Sequence, residues 1–227
     1  MTMRLTPFIA LALLAAGTAP AAAVEADKPH QLVDEAVVTV ETLLRDKQIG
    51  PNLASALAKA RGVLIVPALI KGGFIVGAAG GSGVLLARMA DGGWSSPAFI
   101  TIGEASIGLQ IGGSVSEVML VVNTEKGLDS ILRRKLTLGA EVEIAVGPIG
   151  AGLGAQTTAA VGADVWTYAR SRGLFAGGAF DGAYIEPRDD WNLIYYGQRL
   201  GSKDITTNPS INNPHAKSLR DALARPR

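Results

Sequence analysis

The sequence contains no cysteine, which excludes disulfide staples, cysteine-ligated zinc, a thiol nucleophile and a lipid-modified cysteine anchor. Histidine is nearly absent too. His30 and His215 are the two present, near opposite ends of the chain and in polar surroundings, and both read as solvated surface residues. Neither an H-E-x-x-H nor a G-x-S-x-G motif occurs, so zinc-protease and serine-hydrolase chemistry have no carrier. A surplus of charge is lacking as well, since the formal net charge is +1. Broad nucleic-acid binding needs a sustained positive field, and this chain does not supply one. The longest aliphatic run, near the N-terminus, is too short to cross a bilayer as a helix, and the uncharged stretch Ile144 to Ala163 is a weak transmembrane candidate because of its Gly, Pro, Gln and Thr.

What is present begins with a leader. In MTMRLTPFIALALLAAGTAPAAA, Arg4 supplies the n-region charge, Phe8 to Ala16 the apolar h-region, and Ala21-Ala22-Ala23 an A-x-A cleavage signal. The expectation is a cleavable signal peptide over residues 1–23, cut after Ala23, and a periplasmic or secreted bacterial protein. Its loss removes one arginine and no acid, leaving the mature chain formally neutral. The remaining residues suffice for one domain with a full core, expected over 24–200, followed by a polar tail over 201–227.

From Pro29 to Arg61 the pattern is helical. Val33, Val37, Val40 and Leu44 recur at helical spacing, with Asp34, Glu41, Arg45 and Asp46 opposite. Gly50 stops this helix and Pro51 opens a second one. The composition then changes, for of the 28 glycines only Gly17, Gly50 and Gly62 precede Gly72. GVLIVPALI reads as a buried strand interrupted at Pro67, and ADGG as a hairpin turn centred on Asp91-Gly92. SEVMLVV reads as a strand buried on both faces, and Asn123 or Thr124 as the cap of a short helix, EKGLDSILRR. LTLGAEVEIAV, QTTAAVGADVWTYAR, GLFAGGAFDGAYIE and WNLIYYG are spaced like neighbouring antiparallel strands. The tail, broken at Asn208-Pro209 and Asn213-Pro214, is expected to be partly ordered, with a short helix in HAKSLRDALA. The fold class is therefore α+β, with N-terminal helices packed on a strongly bent, largely antiparallel glycine-rich β-sheet that tends toward a barrel.

The segment KGGFIVGAAGGSGVLLAR, Lys71 to Arg88, admits three readings. A phosphate loop fails because no Gly-Lys-Ser/Thr follows the glycines. A membrane glycine zipper through Gly73, Gly77 and Gly81 is disfavoured, because Gly80, Gly81 and Gly83 crowd one turn at about 1 kcal/mol each. Two strands with glycines where the sheet bends, or where another backbone comes close, fit best. GAGLGA at Gly150 matches a dinucleotide fingerprint but leads into a strand-like stretch, with no acid at the required distance. Glu141 and Glu143 share a strand face and read as its solvated side. No catalytic constellation emerges, and no cofactor or metal site is expected.

Cations beside apolar or glycine-rich backbone are the more informative set. They are Lys71, Arg88, the run Arg133-Arg134-Lys135, and the pair Arg170 and Arg172 around a turn before Gly173. Gathered at one end of the fold, they would make an anionic head-group site.

AKARGVLIVPALIKGGFIVGAAGGSGVLLAR, DGGWSSPAFITIGEASIGLQIGG, VMLVVNTEKGLDSIL, LGAEVEIAVGPIGAG and YARSRGLFAGGAFDGAYIEPRDDWNLIYYG follow one another from about Ala54 to Gly197. This ordered set of motifs resembles the SYLF domain. The resemblance implies a non-enzymatic lipid-binding module, with phosphoinositide ligands in eukaryotic members and actin binding in some fungal ones. It matches the family's lysine before a glycine-phenylalanine pair to Lys71, in KGGF. For a periplasmic chain only contact with anionic phospholipids at a membrane surface carries over. The expected partners are such phospholipids, with an envelope protein as the alternative.

Overall fold

The computed structural model describes residues 21–73, 76–107, 112–133, 136–148, 162–173 and 182–224. Helix α1 (Ala21–Arg45) and α2 (Gly50–Lys59) precede the strands β1 (Gly62–Gly73), β2 (Val76–Ala87), β3 (Ala98–Ile107) and β4 (Gly112–Val122). After α3 (Glu125–Ile131) come the short β5 (Leu136–Thr137) and β6 (Ile144–Val146), then β7 (Val165–Gly173) and β8 (Tyr184–Pro187). The helices α4 (Asp189–Tyr196), α5 (Ser202–Thr207) and α6 (Lys217–Ala224) complete the chain. The strands form one sheet in the order β5-β8-β3-β2-β1-β4-β7-β6. Every pairing is antiparallel except that of β6 with β7, so the sheet is mixed, and it curls into a half-barrel.

Two cores lie on the two faces of this sheet. On the convex face Val63, Ile65, Val84, Leu86, Phe99, Met119 and Val121 pack under α1, α2, α4 and α6. Inside the curl, Leu64, Val66, Leu85, Ile100, Leu120 and Val122 pack with Leu128 and Ile131 of α3 and with β5 and β8. Because both faces are covered, Val118 to Val122 are fully buried in succession, as the uninterrupted apolar run predicts.

Several expectations are met in detail. Thr124 caps α3, its Oγ1 accepting from the Gly127 N–H at 3.0 Å. The hairpin turn falls at Asp91-Gly92, where Gly92 takes a φ of 83°. The glycines of β2 answer a bulge in β1. The pairing of β1 with β4 shifts by one residue between Val66 and Leu69, and its pairing with β2 shifts across the same stretch, so Pro67 and Ala68 lie in a bulge. A Cβ on Gly81 would stand 2.6 Å from the Ala68 carbonyl oxygen, and one on Gly83 2.6 Å from that of Ile65. Here glycine is demanded by a neighbouring backbone, with no ligand involved.

Other expectations are corrected. WNLIYYG is helical. Asp189 and Asp190 occupy the first turn of α4, Gly197 closes it in the left-handed conformation, and Trp191 and Tyr195, four apart, face the core. The Asn192 side chain accepts from the Phe99 N–H at 3.0 Å, so α4 binds the β3 backbone where a further strand would have paired. α1 is helical from Ala21, the first described residue, and carries Pro29 inside it, so the proline does not open the helix. LTLGAEVEIAV holds two short strands around a turn, with Glu141 and Glu143 both exposed. The polar tail is packed, with Ala216, Leu219 and Leu223 buried and α6 lying on α1. That packing brings the two histidines together. Their rings are 4.9 Å apart, and His215 lies 3.2 Å from both Asp34 and the Tyr195 hydroxyl.

Candidate functional site

The register gives the sheet two distinct ends. Gly62, Ala87, Ala98, Val122 and Val165 align at the end where α3 sits. Gly73, Gly77, Ser106, Gly112 and Gly173 lie toward the other, the glycine end. At about 3.3 Å per residue, the 12 residues of β1 separate its ends by roughly 35 Å.

This separation divides the candidate cations. Arg88 and Arg133 lie at the α3 end; Lys71, Arg170 and Arg172 lie at the glycine end. Arg134 and Lys135 fall outside the described residues. Arg88 is engaged within the fold. Its guanidinium donates to the carbonyls of Leu57 at 2.5 Å, Gly92 at 3.0 Å and Ala60 at 3.4 Å, and it stacks 3.9 Å from the Trp94 ring. It thereby satisfies C-terminal carbonyls of α2, and burial lowers its pKa. Arg133 is exposed just beyond α3.

At the glycine end the β1 bulge sets which side chains point where. One extra residue reverses the alternation, so that Leu64, Val66, Leu69 and Lys71 face the interior while Ile70 faces out. Lys71 Nζ then meets Glu104 Oε2 at 3.4 Å, with 13% and 15% of the two side chains exposed. The interior wall turns polar along neighbouring strands at this rank. Val118 gives way to Ser116 and Ser114, and Ile102 to Glu104. Ser114, the register partner of Lys71, is buried, and its Oγ makes no hydrogen bond among the described residues.

On the convex side of the same end the described helices no longer cover the sheet. Ile70 is 61% exposed and Val115, its partner in β4, 44%. Val115 pairs in turn with Arg172 of β7. Glu117 pairs with Arg170, whose guanidinium lies 3.8 Å from the carboxylate, too far for a hydrogen bond. An exposed aliphatic pair thus sits beside two arginine positions, with a half-buried lysine–carboxylate pair on the opposite face.

Comparison with known proteins identifies the family. The Ysc84 family, described as Las17-binding protein actin regulator, matches residues 103–225. The chain belongs to the Ysc84, or SYLF, family. The human SH3 domain-containing YSC84-like protein 1 is 36% identical over 203 residues, 86% of this chain and 59% of that protein. Its Xenopus laevis counterpart is 40% identical over 180 residues, 78% of this chain and 52% of that protein. The LAS seventeen-binding protein 3 of Saccharomyces cerevisiae is 34% identical over 163 residues, 70% of this chain and 35% of that protein. The chain therefore spans about half to three-fifths of the animal relatives and about a third of the yeast one. No solved structure matches it. The SYLF family is one of binding and regulatory proteins.

Sequence reasoning singled out Lys71 but not Glu104, Ser114 or the Ile70–Val115 pair, which the register places at the same end of the sheet. Glu104 stands 33 positions from Lys71, and only the register of β1, β2 and β3 aligns them. Among the described residues no group of three or more acids and histidines could hold a metal, and no helix is long and apolar enough to cross a membrane.

Proposed function

We propose that this SYLF-family chain binds anionic phospholipid head groups without catalysis, at a membrane surface in the bacterial envelope, and that it reaches the periplasm by way of its leader. The observation carrying this reading is the glycine end, where exposed Ile70 and Val115 lie in register with Arg172 and next to Arg170. Shallow insertion of aliphatic side chains flanked by cations that meet phosphates is how a neutral domain gains membrane affinity from a local patch. Lys71 and Ser114 add a cation and a hydroxyl donor on the interior face. Arg88 has no part in this contact, since it caps α2 at the other end of the sheet. Phosphoinositides and actin belong to the eukaryotic side of the family, whereas phosphatidylglycerol and cardiolipin share the phosphate chemistry this patch would recognise.

Co-sedimentation of the chain with vesicles tests this. Pelleting with vesicles containing phosphatidylglycerol or cardiolipin, falling at high salt and absent with phosphatidylcholine alone, is the expected result. Failure to pellet with any vesicle would overturn the reading in favour of an envelope protein partner.

A further inference from the structure

The α3 end carries a different feature. Two surface cavities, of about 450 and 200 Å³, adjoin there, with Leu132 lining both. Helix α5 walls both as well, through Thr206 and Thr207 in the larger and Ser202 and Lys203 in the smaller. Together they form one groove running along α5. Its floor is apolar where Leu128 and Leu132 border it alongside Met89 and Ala90.

The rim is acidic. Asp91, Glu125 and Asp129 line the larger cavity, and Glu186 and Asp189 the smaller. All five are exposed. The lining cations are Arg88 and Lys203, and Arg88 is already bound to three carbonyls and stacked on Trp94. Arg61 reaches Glu125 at 3.3 Å, but both groups are more than half exposed, so solvent screens the pair.

An aliphatic floor and a carboxylate rim call for a ligand that brings apolar side chains and cations together. We propose that this groove docks an extended basic peptide segment of a partner protein. Lysine or arginine side chains of that segment meet the carboxylates, and an aliphatic side chain rests on Leu128 and Leu132. An anionic bilayer would repel this rim, so the groove serves a protein. The inference stands on these residues and does not depend on membrane binding at the glycine end.

The test is fluorescence anisotropy with the full chain and a labelled peptide of alternating lysine and leucine. Saturable, salt-sensitive binding is expected. It should weaken at least about tenfold when the leucines are replaced by glycine, and disappear when the lysines are replaced by glutamate. The double variant Asp91→Lys/Asp129→Lys should lose affinity by a similar factor. So should Thr207→Arg, which narrows the groove from α5 without altering either acid. All three positions are exposed, and an unchanged circular-dichroism melt confirms that each variant folds. Lack of saturable binding to the native chain, unchanged affinity in both variants, or equal binding of the glycine peptide would each overturn the proposal.

Discussion

Lys71 and Glu104 face each other inside the curl of the sheet, Nζ to Oε2 at 3.4 Å, with most of each side chain out of solvent. The carboxylate therefore competes with any phosphate for the lysine. Glu104→Gln removes that competitor while keeping the shape, and should raise affinity for phosphatidylglycerol vesicles by up to roughly tenfold. Lys71→Gln should lower it. Equal co-sedimentation of both variants with the native chain would take this pair out of the site.

Ile70 and Val115 sit opposite each other on the uncovered convex face, 61% and 44% exposed. Replacing both with serine should leave stability within about 0.5 kcal/mol, as exposed positions allow. Vesicle pelleting should nevertheless fall several-fold, even at low salt where electrostatic attraction is strongest. A thermal melt beside the sedimentation assay separates the two effects.

Arg88 bridges the end of α2 to the turn after β2. Arg88→Ala leaves the Leu57 and Ala60 carbonyls without their guanidinium donor and uncovers Trp94, at a cost of about 2–3 kcal/mol. The expected result is a lower urea midpoint with unchanged vesicle binding per folded molecule. Reduced binding by fully folded protein would contradict the assignment of Arg88 to the frame.

Asp164 gives the fold an acid-sensitive tie. Burial pushes its carboxyl up, but hydrogen bonds from Thr124, Lys126 and the Glu143 N–H, together with the Lys126 charge, outweigh this and hold it below its ordinary value. A carboxyl depressed in the folded state stabilises fully above the ordinary carboxylate range, and this contribution fades as pH falls through the lowered folded value. Asp164→Asn should thus cost about 1–3 kcal/mol at neutral pH. It should cost progressively less below about pH 4, read from urea unfolding of both proteins across that range.

Gly83 tests the packing account of the glycines. Gly83→Ala would drive a methyl into the Ile65 carbonyl and the Val66 side chain, destabilising by about 1–3 kcal/mol. Gly72, with open space around its Cβ position, should accept alanine with little change. Similar melting temperatures for the two variants would refute close backbone approach as the reason for Gly83.

Legibility in the sequence followed the range of the interactions. Local chemistry was readable, as at Thr124 over α3, Asp91-Gly92 in the hairpin and the unbroken apolar run of β4, because each depends on neighbours within a few positions. α4 was misread because Trp191, Leu193 and Tyr195 alternate as a strand would, while the bond from Phe99 to Asn192 that favours helix comes from 93 positions away. The histidine pair was missed for a similar reason, since α6 must first fold back onto α1.

The sequence by itself determined the family, the α+β pattern with its bent sheet and the position of the cations along the chain, since these rest on composition, periodicity and short motifs. Only the tertiary structure decided what those cations could do. The single-residue bulge between Val66 and Leu69 turns Lys71 inward and Ile70 outward, and strand pairing sends Arg88 and Arg170 to opposite ends of one sheet. Side-chain direction along a strand reverses with every residue, so one added residue, set by contacts between distant strands, reassigns every position beyond it.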